Sequence, residues 1–168
     1  QIENQNWKNK LTVNNSTSDF WDIDNPQEKK DWGKLLHFTL SKIYFKDQVN
    51  DVINDVYQKG LCDLSEKNKL QDVIADLLSD SEISYFFSKN WQVKTEKEIL
   101  LPSGKTYIPD RILFMDNKVV IIDYKTGKKE DVHKEQIIKY STVLKDMGYD
   151  NISLFLIYTS LTKKVFKI

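Results

Sequence analysis

Ile122-Asp123-Tyr124-Lys125 sets an acid and a base two residues apart, at the end of the most apolar run of the chain, Val119-Val120-Ile121-Ile122. Alternate side chains of a strand share a face, so Asp123 and Lys125 are neighbours. Asp110 lies upstream in Ile108-Pro109-Asp110-Arg111. The short turn at Asp116-Asn117 makes the two runs an antiparallel hairpin. In that pairing Asp110 and Asp123 fall near the same end, away from the turn. Oxygen ligands of this kind hold a hard divalent cation such as Mg²⁺. The cation would offset carboxylate repulsion, polarise a phosphodiester and lower the pKa of a water. Lys125 would position or help deprotonate that water and stabilise developing charge. Each residue alone is as well explained by an ion pair at a strand end; the three together favour chemistry.

Three further groups border this constellation. His37 lies inside a helical run, Gly33-Lys34-Leu35-Leu36-His37-Phe38-Thr39-Leu40. A lone histidine there is more often a boundary residue than a ligand. Gly33, one turn earlier, costs a helix about 1 kcal/mol against Ala, which fits a close backbone approach or simple packing. Gln136 and Tyr140, four apart, share one face of the helix that follows the Asp-x-Lys strand. Lys128 and Lys129 lie in the loop between them and Lys125. From Lys125 to Lys145, six Lys oppose Glu130, Asp131 and Glu135. Such a loop contacts phosphates electrostatically, or is a solvated helix entrance.

The elements that must position these groups read as follows. Residues 1–27 are polar, with Trp7, Leu11, Val13, Phe20 and Trp21 scattered through them, and form a leading segment with a short strand near Leu11–Val13. A helix follows Pro26 and runs to about Phe45, on the spacing of Trp32, Leu35, Leu36, Leu40 and Ile43. Further helices span Asp47–Gln58, stopped by Gly60, then Ser65–Leu78 with Ser65 as cap, then Glu82–Ser88. Strands are expected over Val93–Leu101, Thr106–Met115 and Lys118–Tyr124, with turns at Pro102-Ser103-Gly104 and Asp116-Asn117. A helix over Asp131–Met147 stops at Gly148, and strands over Ile152–Tyr158 and Lys163–Ile168 close the chain. The order is that of an α/β domain with a mixed sheet.

Composition narrows the function classes. The 168 residues include 25 basic and 25 acidic side chains, two His and one Cys. Length and 40% hydrophobic content point to one globular domain rather than disorder. One Cys excludes an internal disulfide framework and any Cys-only metal site in this chain. No apolar run approaches the ~20 residues that span a bilayer. No signal peptide is visible, so the expected compartment is cytoplasmic and no membrane partner is expected. The zero net charge conceals an asymmetry: residues 47–86 carry 3 basic and 9 acidic groups, residues 87–168 carry 15 and 10. An anionic partner belongs with the C-terminal half. Arg111 is the only arginine, which disfavours bidentate readout of several guanines. The start at Gln1 suggests a piece of a longer protein.

Taken together, Gly33…His37, Glu96, Pro109-Asp110-Arg111, Ile122-Asp123-Tyr124-Lys125-Thr126-Gly127 and Gln136-x-x-x-Tyr140 resemble the RecB-type branch of the PD-(D/E)xK nuclease superfamily. The nearest likeness is to the C-terminal nuclease domains of RecB/AddA-like and UvrD-like helicase–nucleases, over roughly residues 30–160. The resemblance implies a restriction-endonuclease-like mixed sheet flanked by helices. The nuclease domain would span residues 28–168, with an acidic helical insertion at 47–88. It implies His37, Asp110 and Asp123 as ligands of Mg²⁺ or Mn²⁺, with the Tyr124 carbonyl as another, and Lys125 as the catalytic lysine. Gln136 and Tyr140 would support the site and contact DNA. Arg111, Lys128 and Lys129 would join them on the nucleic acid. Glu96 would be the glutamate one strand before the aspartate, with Glu98 competing. The implied activity is metal-dependent, sequence-nonspecific (exo)deoxyribonuclease action on single strands or DNA ends, in recombination and repair. By the same analogy the products carry a 5′-phosphate and a 3′-hydroxyl. With Cys62 alone, the four-cysteine iron–sulfur variant is excluded. The chain has no Gly-rich loop ending in Gly-Lys-Ser/Thr, hence no such ATP site, so a helicase motor would lie on another segment or a partner. A restriction-like or CRISPR-associated branch, a silent DNA-binding scaffold, and a purely structural domain are the competing readings.

Overall fold

The computed structural model describes residues 32–100 and 106–168. The leading segment, the helix start after Pro26 and the Pro102-Ser103-Gly104 turn lie outside them. The described helices are α1 (Trp32–Lys42), α2 (Val49–Gln58), α3 (Leu64–Ser79), α4 (Ser81–Phe86) and α5 (Asp131–Asp146). The described strands are β1 (Gln92–Thr95), β2 (Ile99–Leu100), β3 (Thr106–Tyr107), β4 (Arg111–Met115), β5 (Lys118–Lys125), β6 (Asn151–Tyr158) and β7 (Val165–Lys167). Residues 31–168 form one unit, the acidic helices included.

Five strands make a mixed sheet in the order β1-β4-β5-β6-β7. The hairpin pairs antiparallel with Arg111 opposite Ile122, as the turn at Asp116-Asn117 requires, and Asp116 takes a positive φ of 50° there. β5 and β6 are parallel and α5 connects them. A parallel pair needs such a crossover. Because both faces of β5 are covered, Val119, Val120, Ile121 and Ile122 are all buried. Val119, Ile121, Leu154, Leu156 and Tyr158 pack under α5 with Ile137, Tyr140 and Leu144. On the opposite face Phe155 meets Phe86 of α4, with ring centroids 4.9 Å apart. Each fully buried Leu or Ile stabilises this sandwich by roughly 1.5–3 kcal/mol. The sheet therefore holds the polar end of β5 between two packed layers.

Three expected boundaries differ, each for a physical reason. The first helix ends at Lys42 rather than near Phe45. Beyond Lys42 the Arg111 guanidinium takes the carbonyls of Ile43 and Tyr44, while the Gln48 side chain takes the amides of Tyr44 and Phe45. The long strands expected over Val93–Leu101 and Thr106–Met115 each break in two. Glu96 adopts a left-handed φ of 47°, and Pro109 has no N–H for a ladder. Their outer parts, β2 and β3, pair as a separate two-stranded sheet. The cap of α3 is Asp63, not Ser65. Asp63 accepts from the Glu66 amide at 2.8 Å and Glu66 accepts from the Asp63 amide at 2.9 Å, a reciprocal capping box. Asp63→Ala is expected to lower stability in urea by about 1 kcal/mol, and Ser65→Ala by much less. Equal losses in the two variants would contradict this assignment.

Candidate active site

The polar end of β5 lies between the two layers. Asp123 and Lys125 point toward α5, as alternate residues must, and their Oδ2 and Nζ atoms are 2.6 Å apart. Lys125 Nζ also donates to Gln136 Oε1 at 3.1 Å, and Gln136 Nε2 donates to the Tyr140 hydroxyl at 2.7 Å. The four-residue spacing on α5 thus becomes a relay that fixes the lysine head. Tyr140 is buried and Gln136 half-buried. Contact of Tyr140 with a nucleic acid is therefore closed off, and its role here is to hold Gln136.

Asp110 stands just before β4, where Pro109 has ended the ladder. Its Oδ2 accepts from the Tyr124 backbone amide at 2.7 Å, taking the place of a strand acceptor. An extended residue turns its N–H and C=O to the same edge, so the Tyr124 carbonyl faces this side too. Asp110 Oδ1 lies 3.3 Å from His37 Nδ1, a contact between residues 73 apart in sequence. The Tyr124 ring meets the His37 imidazole edge-on, with centroids 6.2 Å apart. His37, Asp110 and Lys125 keep 30%, 21% and 18% side-chain exposure, so the cluster opens to solvent.

Asp123 is the unusual member, at 3% exposure. Burial, then the charge of Asp110, pushes its carboxyl up to about 6, against the pull of Lys125 and His37. Its Oδ2 lies 2.6 Å from the Lys125 ammonium, an ion pair that pulls the carboxyl down without reversing the net rise. His37 is pushed down by burial, the largest single influence. The Asp110 hydrogen bond and the charges of Asp110 and Asp123 together outweigh it, and the net direction is upward.

The charge pattern of these residues fits a divalent cation. Two carboxylates repel across the site, and an imidazole lies beside them. No three His, Cys, Asp or Glu side chains among the described residues are gathered as a ready-made cage. The donors in direct contact are His37 and Asp110, with Asp123 coupled to both through charge. Mg²⁺ keeps several waters and uses one or two carboxylates, which suits such a sparse set.

The remaining expected residues divide. Glu96 and Glu98 are exposed, and the Glu96 amide donates to the Asp110 carbonyl at 3.3 Å, so Glu96 acts on the site through its backbone. Lys128 and Lys129 are exposed on the loop after β5. Arg111 requires correction: it is fully buried and cannot reach DNA. Its Nη1 and Nη2 donate to the carbonyls of Ile43 and Tyr44 at 2.8 and 2.6 Å, and its guanidinium lies 4.0 Å from the Phe87 ring centroid. It joins the end of α1 to β4, and so brings His37 to Asp110. Sequence reasoning passed over His133, whose Nδ1 lies 2.9 Å from the Tyr158 hydroxyl. Its position three residues before Gln136, on the same helix face, was the available signal. No family model matches the chain, and no curated protein matches it.

Two outcomes are expected. A carboxyl whose folded pKa lies above its unfolded value stabilises the fold at low pH and loses that contribution as pH rises through the folded value. Without metal, stability should therefore fall as pH climbs from about 4 through 6. Asp123→Asn should flatten this fall and raise stability at pH 8 in chelator by about 1–3 kcal/mol. Urea unfolding at both pH values measures it, and an Asn variant less stable than the parent at pH 8 sinks the account. Arg111→Met should cost about 2–4 kcal/mol, because the carbonyls it grips lose their donor. Unchanged stability in urea would refute the clamp.

Proposed function

We propose that this site hydrolyses phosphodiester bonds of DNA with a divalent cation, Mg²⁺ or Mn²⁺. The observation that carries the reading is the union at one strand end of two mutually repelling carboxylates with a lysine held by a second hydrogen bond. Asp110 and Asp123 would hold the cation, with His37 and the Tyr124 carbonyl beside them. Bound there, the cation offsets carboxylate repulsion, polarises the phosphodiester and acidifies water. Every other part of the work falls to the chain.

Lys125 is steered by Gln136 Oε1 and Asp123, so its ammonium is presented in one direction rather than sweeping through solvent. A fixed donor orients a water or meets developing negative charge without reorganising in the transition state. Asp110 is pinned by the Tyr124 amide, which keeps one oxygen occupied and aims the other toward His37. Gln136 and Tyr140 act as positioning residues behind the lysine. Lys128 and Lys129 supply charge for the backbone of the substrate without reading sequence.

The order and spacing of the motifs support the RecB-type branch, with a restriction-endonuclease-like arrangement of the sheet and a motor elsewhere. The mixed sheet, the α5 crossover and the helices on both faces accord with that arrangement. DNA end processing in recombination or repair is the corresponding role. A silent scaffold would have no need of Lys125 or of its relay through Gln136 to Tyr140.

The test uses purified protein and end-labelled single-stranded DNA with Mg²⁺ or Mn²⁺. Asp110→Ala and Lys125→Ala should each cut at least about 100-fold more slowly, on the scale of losing one electrostatic stabiliser, with circular dichroism unchanged. Mn²⁺ should raise the melting temperature of the parent by several degrees and leave Asp123→Ala unmoved. Cutting by either alanine variant at the parental rate would overturn the proposal.

A further inference from the structure

Two loops leave the C-terminal ends of the parallel strands β5 and β6 side by side. The Lys125 carbonyl accepts from the Thr159 amide at 2.9 Å, and the Thr126 carbonyl from Ser160 Oγ at 3.4 Å. In open α/β sheets this end of parallel strands is where ligands bind. The first loop carries Lys128 and Lys129, the second Lys163 and Lys164. Lys164 is engaged across the molecule, its ammonium 3.1 Å from Asp76. Lys129 and Lys163 instead converge on one aromatic ring. Their Nζ atoms lie 4.1 and 5.3 Å from the centroid of Phe166 on β7.

Two ammonium groups drawn to one half-buried ring repel each other. A phosphate lodged between them would relieve that repulsion, and their heads would then uncover part of the ring. The ring itself is braced: Phe166 meets Tyr158 edge-on at 5.6 Å and packs against the core under α5. Tyr158 is the register partner of Lys125 on the neighbouring strand and is bonded to His133. Lys125, Tyr158 and Phe166 therefore form a continuous route from the carboxylate site to the sheet edge.

We infer that the Lys129–Phe166–Lys163 surface carries a single-stranded polynucleotide beside the site, its phosphates between the two lysines and an unpaired base against Phe166. This rests on the nuclease reading and adds to it a strand path and the residues that would hold an unpaired base. Bases in a duplex are stacked on one another and present no free face to a ring. Unpaired ones do, and lysine-flanked aromatics hold them in a sequence-tolerant way.

Fluorescence anisotropy in EDTA separates binding from cutting, with a labelled oligothymidylate and a labelled duplex as probes. The double variant Lys129→Glu, Lys163→Glu should bind the single strand at least about 10-fold more weakly. Its log affinity against log salt should flatten by about 1.4, two phosphates at the single-strand slope. Phe166→Leu should weaken single-strand binding several-fold with the salt slope and duplex binding unchanged. Lys145→Glu, at the far end of α5, should bind like the parent. If Phe166→Leu fails to fold by circular dichroism, the lysine variant decides alone. Parental affinity in the lysine variant, or duplex bound as tightly as single strand by the parent, would overturn the inference. A parent that cuts DNA while the variants bind normally removes only the strand path. A parent that neither binds nor cuts removes the nuclease reading with it.

Discussion

The buried guanidinium of Arg111 is the contact on which the site depends. It is fully enclosed and grips the carbonyls of Ile43 and Tyr44, just past the end of α1, with Phe87 against its face. A charge in such a place is tolerated because carbonyl dipoles at a helix C-terminus and a ring quadrupole replace water. Arginine suits this position because it stays charged when buried and presents donors in a fixed fork. The grip stops α1 at Lys42 and seats it on β4. His37, on α1, then meets Asp110, the residue immediately before Arg111. One side chain thus supplies both the joint between helix and sheet and the contact that closes the site.

The electrostatics of the candidate site work against the fold. Asp123 is buried beside another acid, and its carboxyl is pushed up to about 6 by burial first and Asp110 second. The Lys125 ion pair, 2.6 Å away, offsets this only in part. The energy for keeping that carboxylate comes from the sandwich around it, where β5 is covered on both faces. Functional residues are commonly held in such strained surroundings by a scaffold that could be more stable without them. The relay Lys125–Gln136–Tyr140 shows the same division of labour. The inner end is a buried tyrosine in the α5 core, and the outer end is a lysine that is only partly buried.

Much of the architecture was legible because local patterns agreed with the global fold. The unbroken apolar run of β5 announced a strand covered on both faces, and the spacing of α5 put Gln136 over Tyr140. Errors fell where a distant partner decides. Ser65 and Asp63 are both good caps by type, and the reciprocal bonds with Glu66 select Asp63. Arg111 next to Asp110 read as a surface cation, because nothing in its neighbours announces that Ile43 and Tyr44 lie behind it. The strands on either side of Pro109 read as continuous, although the proline and the left-handed Glu96 both break the ladder there.

By itself the sequence determined which residue types share a strand face or a helix face. Those are periodicities of two and of 3.6, set by backbone geometry alone. Asp123 with Lys125, and Gln136 with Tyr140, follow from it directly. Only the tertiary structure decided that His37 meets Asp110, that Asp110 takes the Tyr124 amide, and that Lys129 and Lys163 converge on Phe166. His37 and Asp110 are 73 residues apart, Asp110 and Tyr124 14, and Lys129 and Phe166 more than 30, while Lys163 is a near neighbour of Phe166 in the chain. Strand pairing, loop proximity and the packing of α1 on the sheet bring the distant partners together, and no local pattern carries that information.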